Sequence, residues 1–333
     1  MNADVAPRPT SLADYVGQEP IVAALRRAIS AARRGDRPLG HVLVTGGPGL
    51  GKTSLAGAIA AELGAPIVAV NAPAIEHKGA LAALLTSLRP GAVLFVDEIH
   101  ALPRALQELL YPAMEDGYVD LPAGKQVVRV PLAPFTLVAA TTRAALLSQP
   151  LRDRFAYSFQ LRPHGEDAIA EIVHRAAAKI GLSIDPAAAR EVARRSRSTP
   201  RVALRLLRAC RDFAAAAGQG SIVTAACTVA ALRAAGVDEA GLEALDRDYL
   251  AAVVRAGAPI GLDAVASAIG EEPRTIEEVV EPHLVALGLV QRTPRGRVAT
   301  AAGVAHLQGR AQGWAPRSRQ LPEADVEDAE VLS

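Results

Sequence analysis

From about residue 40 to residue 160, short apolar runs alternate with stretches of helical character. The runs predict strands at 41–45, 67–70, 92–97, 135–140 and 156–160, and the stretches between them predict helices near 52–63, 79–88, 103–114 and 146–153. This alternation predicts a parallel sheet wrapped by helices. Residues 114–134 break the rhythm. There Gly117-Tyr118-Val119-Asp120-Leu121, a Pro-Ala-Gly turn and Gln126-Val127-Val128-Arg129-Val130 predict a β-hairpin inserted before the strand at 135. Such an insertion either contacts a partner or is inert surface.

From about Gly165 the strand pattern stops, and helical segments at 166–180, 186–196, 200–217 and 223–235 predict a small all-helical domain. Beyond Val237 come helices at 247–256, 262–269 and 274–287, then Leu289-Val290-Gln291-Arg292-Thr293, Pro294-Arg295-Gly296 and Arg297-Val298-Ala299. Three helices followed by a hairpin predict a winged helix. The expected division is an α/β domain over 1–163 with its hairpin at 117–131, a helical domain over 164–236 and a winged helix over 237–310. Residues 311–333 are Pro-rich and then acidic, a composition that predicts disorder.

The chain has 333 residues, half of them hydrophobic. No apolar run approaches the roughly 20 residues of a membrane span, and Met1 to Thr10 lacks an apolar stretch, so a soluble cytoplasmic protein is expected. Cys210 and Cys227 lie in Ala-rich helical sequence without metal-like spacing and read as small buried apolar residues. The net charge of +1 means that any nucleic-acid contact comes from a local patch.

The chemistry concentrates after the first predicted strand. Gly46-Gly47-Pro48-Gly49-Leu50-Gly51-Lys52-Thr53 follows an apolar run and precedes a helix. Glycines there turn backbone N–H groups inward, Lys52 reaches phosphates, the Thr53 hydroxyl suits Mg²⁺, and the helix dipole adds positive potential. A nucleoside triphosphate is the expected ligand. Val93-Leu94-Phe95-Val96-Asp97-Glu98 ends a strand in two acids. In this context Asp97 would hold Mg²⁺ through water and Glu98 would polarise the attacking water. Thr142, after the strand at 135–140, reads two ways, as a phosphate or water contact or as a helix cap. Arg152 and Arg154 read as fingers toward a neighbouring subunit's nucleotide or as a surface ion pair around Asp153. Arg201, Arg205, Arg208 and Arg211 share helical faces, and the last three read as a solvated basic surface.

Glu277, Glu278 and Glu281 on the third helix of the winged helix would repel phosphates, whereas Arg292, Arg295 and Arg297 surround the tight turn of the hairpin. The wing is therefore the expected DNA contact, touching backbone more than bases. A merely solvated hairpin is the other reading.

The phosphate loop, the Asp-Glu strand end, the helical domain and the winged helix together resemble the AAA+ ATPases, and several stretches are similar to the bacterial RuvB family. These are Leu109-Leu110-Tyr111-Pro112-Ala113-Met114-Glu115-Asp116, Phe135-Thr136-Leu137-Val138-Ala139-Ala140-Thr141-Thr142-Arg143, Pro150-Leu151-Arg152-Asp153-Arg154-Phe155 and Gln291-Arg292-Thr293-Pro294-Arg295-Gly296-Arg297. The resemblance runs from Arg8-Pro9 and Tyr15-Val16-Gly17-Gln18 to about Thr300. It implies an ATP- and Mg²⁺-dependent motor that pumps double-stranded DNA through a homo-hexameric ring at a four-way (Holliday) junction. A RuvA-type protein would dock on the 117–131 hairpin, and a RuvC-type resolvase would act indirectly, on the product.

By position the resemblance implies that Lys52 and Thr53 bind phosphate and Mg²⁺, with Gly46, Gly49, Leu50, Gly51 and Ser54 around the same nucleotide. It makes Asp97 and Glu98 the hydrolytic pair, Thr142 the first sensor, Arg154 the arginine finger and Arg201 the second sensor. Pro7, Arg8, Glu115, Asp116, Gly117, Arg152 and His164 complete the implied nucleotide contacts, and Arg292 and Arg297 match the wing's DNA-contacting arginines. Four departures stand out. Gly47 replaces a usual Pro, His164 a usual Tyr and Ser198 a usual Gly, and the hairpin is short, with Pro122-Ala123-Gly124-Lys125 at its tip. A second reading keeps the ATPase but gives it clamp-loader-like or protein-remodelling work without a junction partner; the arginine-bearing wing speaks against it. A third, a non-hydrolysing switch or scaffold, is opposed by the complete set Lys52, Asp97, Glu98 and Arg154.

Overall fold

In the first unit, the three central strands of a five-stranded parallel sheet, Val42–Thr45, Val93–Asp97 and Thr136–Thr141, carry almost continuous apolar sequence because both of their faces are covered. The structure is a computed structural model that describes residues 9–123, 126–218 and 221–309. Pro7, Arg8, the hairpin tip at Gly124-Lys125 and the 311–333 tail lie outside the described residues. Strands β1 (Val42–Thr45), β2 (Ile67–Asn71), β3 (Val93–Asp97), β6 (Thr136–Thr141) and β7 (Tyr157–Gln160) form one sheet in the order β2-β3-β6-β1-β7. The chain groups into two compact units, Met1–Ala235 and Gly236–Ser333.

Side chains alternate along each strand, so the sheet has two cores. Val42, Val44, Phe95, Val138 and Ala140 pack against Leu25 and Ile29 of the helix Glu19–Arg34 and against Leu55 and Ile59 of the helix Lys52–Leu63. Leu43, Leu94, Val96, Leu137 and Ala139 pack on the other face against Leu81, Leu85, Leu106, Leu110 and Leu151. The insertion is an antiparallel hairpin of β4 (Tyr118–Ala123) and β5 (Gln126–Pro131). Two residues, Asp116 and Gly117, separate it from the helix Arg104–Glu115. Arg129 ion-pairs with Asp120 at 3.0 Å and stacks over the Tyr118 ring, while Val127 and Val128 stand exposed.

The following region is four helices, Glu166–Lys179, Pro186–Arg194, Pro200–Ala216 and Ala225–Ala234. It also holds a two-residue parallel ladder, β8 (Ser183–Ile184) with β9 (Ile222–Val223), too short to leave a pattern in the sequence. Cys210 and Cys227 are buried and unbridged, and burial pushes the Cys210 thiol up to about 12. In the second unit, the helices Ala244–Ala256 and Leu262–Ile269 pack with a third, over 273–286, around Tyr249, Leu250, Val265, Val280 and Leu284. The third helix carries a π turn over Ile276–Val280, immediately ahead of Pro282, whose missing N–H cannot join an α ladder. Its hairpin pairs β10 (Val290–Thr293) with β11 (Gly296–Ala299), setting Arg292 opposite Arg297. Among the described residues, no helix is long and apolar enough to cross a membrane.

His41, just before β1, is held neutral by its position in the sheet. The Leu137 N–H donates to its Nδ1 at 2.9 Å, so the ring proton sits on Nε2, 3.1 Å from the Met114 carbonyl. Burial lowers the His41 pKa against the opposing effect of the Met114 carbonyl. As pH falls, the unfolded chain therefore takes up this proton before the folded one does. The contribution of His41 is complete above about pH 6.5 and is lost below it. Urea midpoints should fall between pH 7.5 and pH 5.5, and His41→Gln should flatten part of that fall. An unchanged pH dependence in the variant would move the effect to other groups.

Candidate functional site

Three neighbouring strand ends build the site. Strand β6 lies between β1, which feeds the glycine-rich loop, and β3, which ends in Asp97. The open carboxyl edge of a parallel sheet is where such folds hold ligands. Lys52 opens the helix after the loop, is 7% exposed, and donates from Nζ to the carbonyls of Gly46 and Gly47 at 2.9 and 3.0 Å. Its pKa is lowered first by burial; Glu98 and Asp97 oppose that shift and Arg201 adds to it. Lys52 is thus within electrostatic reach of both acids and of an arginine from the helical region.

Thr53 and Ser54 follow in the first helical turn, and Leu50 is buried in the core beneath the loop. Gly49 has φ +77°, and a Cβ there would stand 2.8 Å from Thr199 Cγ2 and 2.9 Å from Arg201 Cβ. The Arg201 N–H donates to the Gly49 carbonyl at 3.4 Å, so the start of the helix Pro200–Ala216 rests on the loop. Buried Tyr15 approaches the same loop, its hydroxyl 3.5 Å from the Gly51 carbonyl. His164 is buried near Gly17; its backbone N–H donates to the Ser198 carbonyl, while its ring Nδ1 has no hydrogen-bond partner among the described residues. Burial lowers the His164 pKa, with the Val16 backbone opposing. Ser198 adopts φ +53°, the left-handed backbone that a glycine takes without strain.

Glu98 is the most constrained residue of the site. Its backbone is left-handed at φ 49°, a conformation that costs a non-glycine residue about 1–3 kcal/mol. Its Oε2 accepts from the Thr142 N–H at 3.2 Å and the Thr142 hydroxyl at 3.1 Å, and lies 3.2 Å from His100 Nδ1. The Thr142 hydroxyl is thus spent on Glu98 and is not a helix cap; the turn Ala144–Leu146 has Arg143 at its cap position. His100 also meets the buried Thr141 hydroxyl at 2.9 Å. Asp97 Oδ1 accepts the Glu98 N–H at 3.0 Å. The sequence reading did not use His100, though it stands three residues after Asp97 in the same segment.

A second group forms elsewhere on the same unit. Arg154 donates to the Pro150 carbonyl at 2.7 Å, pairs with Glu115 at 2.9 Å and lies 4.3 Å over the Tyr111 ring; its buried Nε has no partner among the described residues. Arg152 bonds Gln149, and Asp153 also accepts from Gln149 rather than from an arginine. Asp116 and Gly117 continue from Glu115 into the hairpin, Gly117 at φ +68°. Among the described residues, neither Arg152 nor Arg154 forms a hydrogen bond or ion pair with Lys52, Asp97 or Glu98. The structure therefore gathers Lys52, Thr53, Asp97, Glu98, Thr142 and Arg201 and leaves Arg152, Arg154 and Glu115–Gly117 apart.

In the second unit, Arg292 and Arg297 lie on the hairpin and Arg295 is exposed at its turn. Glu277 and Glu278 are exposed on the third helix, whereas Glu281 is fully buried and bonded to Arg292 and Arg297. The sequence reading grouped Glu281 with the phosphate-repelling acids; its place on the inner face of that helix removes it from the surface.

The donor set fits a triphosphate with a small hard cation. The loop turns its carbonyls toward a buried ammonium, and the crowded position of Gly49 leaves no room for a Cβ. A hydroxyl and a carboxylate suit Mg²⁺, which keeps most of its waters; among the described residues there is no cluster of three or more His, Cys, Asp or Glu of the kind that cages a metal. Gly49→Ala should lower nucleotide affinity at least tenfold and destabilise the fold by about 1–3 kcal/mol through left-handed strain. Calorimetric binding and thermal melting check this, and wild-type affinity in the variant would disprove the contact between loop and helical region.

Three family models match in order along the chain. The "Holliday junction DNA helicase RuvB P-loop domain" covers residues 7–161, the "RuvB AAA lid domain" 164–238 and the "RuvB C-terminal winged helix domain" 239–308. The "Holliday junction branch migration complex subunit RuvB" of Lacticaseibacillus casei is 50% identical over 306 residues, covering 90% of each chain. The protein of the same description from Chloroflexus aggregans is 49% identical, over 90% of this chain and 87% of its own. Among solved structures, the Thermotoga maritima RuvB Holliday junction branch migration motor has a TM-score of 0.80 at 40% identity, over 90% of this chain and 98% of that one. A single-residue variant of the same Thermotoga protein reaches 0.82, covering 91% and 99%. With a P-loop parallel-sheet domain, a lid and a winged helix all matched in order, the chain belongs to the RuvB family of Holliday junction branch migration ATPases.

Proposed function

We infer that this chain is an ATP-driven motor of Holliday junction branch migration, acting in recombination and repair in the cytoplasm. The observation that carries this reading is the convergence of Lys52, Asp97, Glu98 and Thr142 on one sheet edge, in a chain that also carries the family's winged helix. Lys52 and the N–H groups of the loop hold the β- and γ-phosphates, and Arg201 closes over them from the lid. Thr53 and Asp97 would hold Mg²⁺, which neutralises developing charge on the phosphates when bound. Glu98 takes the proton of the attacking water. Because Thr142 and His100 gather on Oε2, Oε1 is the oxygen left to do so. Pro7, Arg8 and His164 flank the base.

Arg154 and Arg152, with Glu115, Asp116 and Gly117, serve the nucleotide of a neighbouring copy. A finger of this kind is worth about 10³–10⁵ in rate. The motor is accordingly a ring, a homo-hexamer by analogy with the family. The wing built on Arg292, Arg295 and Arg297 meets the backbone of double-stranded DNA, and the 117–131 hairpin docks on a RuvA-type junction-binding protein. A RuvC-type resolvase acts on the migrated junction without touching this site. A clamp-loader-like or protein-remodelling motor is not favoured, since the family match runs through all three domain models.

The direct test is ATP-dependent dissociation of a synthetic four-way junction, with and without the RuvA-type partner, using Lys52→Ala as the blank. Partner-dependent dissociation should appear with wild type and fall to background with the variant. Hydrolysis by wild type that never moves the junction, with the partner present, would contradict the reading.

A further inference from the structure

The wing is anchored to a charge that solvent does not reach. The Glu281 side chain is 0% exposed, and its Oε2 lies 2.6 Å from Arg292 Nε while its Oε1 lies 2.7 Å from Arg297 Nε. The fully buried Tyr249 donates its hydroxyl to the same Oε1 at 2.6 Å. Burial alone would push this carboxyl up; the hydrogen bonds from Arg297 and Tyr249 and the charge of Arg292 outweigh it and hold Glu281 ionised. A buried acid with three donors is therefore a fixed anion, placed under two arginines that face each other across the hairpin. Like charges at such a position repel. Glu281 removes that repulsion.

The two arginines are not equivalent. Arg297 is 18% exposed along its side chain, and its backbone pairs with Ile260 in both directions, at 2.8 and 3.0 Å. Arg292 is 45% exposed, and among the described residues it reaches, besides Glu281, the Glu277 carbonyl at 3.3 Å. Arg295 is exposed at the turn, where its N–H is fixed by the Thr293 hydroxyl, and it forms no ion pair among the described residues. Resting on the reading of the wing as the DNA contact, we propose that Glu281 is the positioning residue of the wing: it locks Arg297 as an internal strut and holds Arg292 toward a backbone phosphate, beside Arg295, which meets a second from the turn. Three arginines over one buried carboxylate leave a wing that neutralises about two phosphates, each worth about 0.9 in the slope of log K against log salt.

The test measures binding of the full chain to a mixed-sequence duplex over a salt series, with thermal melting as the check on folding. Glu281→Gln removes a negative charge, so simple electrostatics would tighten binding. The proposal requires the opposite, several-fold weaker binding by a folded variant. Arg292→Ala should flatten the slope by about 0.9, and adding Glu281→Gln to it should cost much less than in wild type, because Glu281 acts through Arg292. Tighter binding and a steeper slope for Glu281→Gln would make the carboxylate a mere charge brake and overturn the proposal. Should that variant melt, Tyr249→Phe decides, since it removes one donor and no charge. Weaker binding at unchanged slope supports the proposal, and unchanged affinity overturns it. A triple Arg292→Ala, Arg295→Ala, Arg297→Ala chain that binds like wild type would instead overturn the wing reading itself.

Discussion

Burial of both faces of one parallel sheet is the constraint on which the rest of the first unit depends. Strands that must be apolar throughout can carry polar chemistry only where they end. The order β2-β3-β6-β1-β7 then decides which ends are neighbours. It puts Thr142 between the loop that holds Lys52 and the strand that presents Asp97 and Glu98. Residues about 90 apart in sequence meet because three strands share one edge. The left-handed backbone of Glu98 is held in place there by its bonds to Thr142.

Arg154 is engaged outside that group of residues. Its guanidinium is held by Pro150, Glu115 and Tyr111, all at the root of the helix and hairpin that leave the sheet. On the proposed function Arg154 serves the nucleotide of a neighbouring copy, so that catalytic charge is shared between two chains. That proposal calls for a ring, and it sets the hairpin beside the same arginine, since Glu115, its ion-pair partner, ends the helix that runs into β4.

Much of this was legible in the sequence because it depends on local pattern. Apolar runs gave the strands, glycine spacing gave the loop, and the acids at the end of an apolar run gave Asp97 and Glu98. What was not legible depends on contacts between distant segments. His100 and Thr141 meet across two strands, His41 is held by Leu137 and Met114, and Tyr15 rests on the phosphate loop. Glu281 is the clearest case. It shares a helix with the exposed acids Glu277 and Glu278, and only the packing of that helix decides that it faces inward. A charge count over the wing therefore misjudges it: three arginines in sequence become a strut and two outward cations in space.

The proposed division of the catalytic site between copies is tested most directly by mixing two variants, Glu98→Gln and Arg154→Ala, and measuring ATP hydrolysis. Each alone should fall at least a hundredfold, within the about 10²–10⁴ range for loss of a catalytic base and the larger range for loss of a finger. In mixed rings some sites pair an intact Glu98 from one copy with an intact Arg154 from the next, so turnover should rise well above either variant alone. If mixing restores nothing while the variants still co-assemble, both residues act within a single chain and the shared site is wrong.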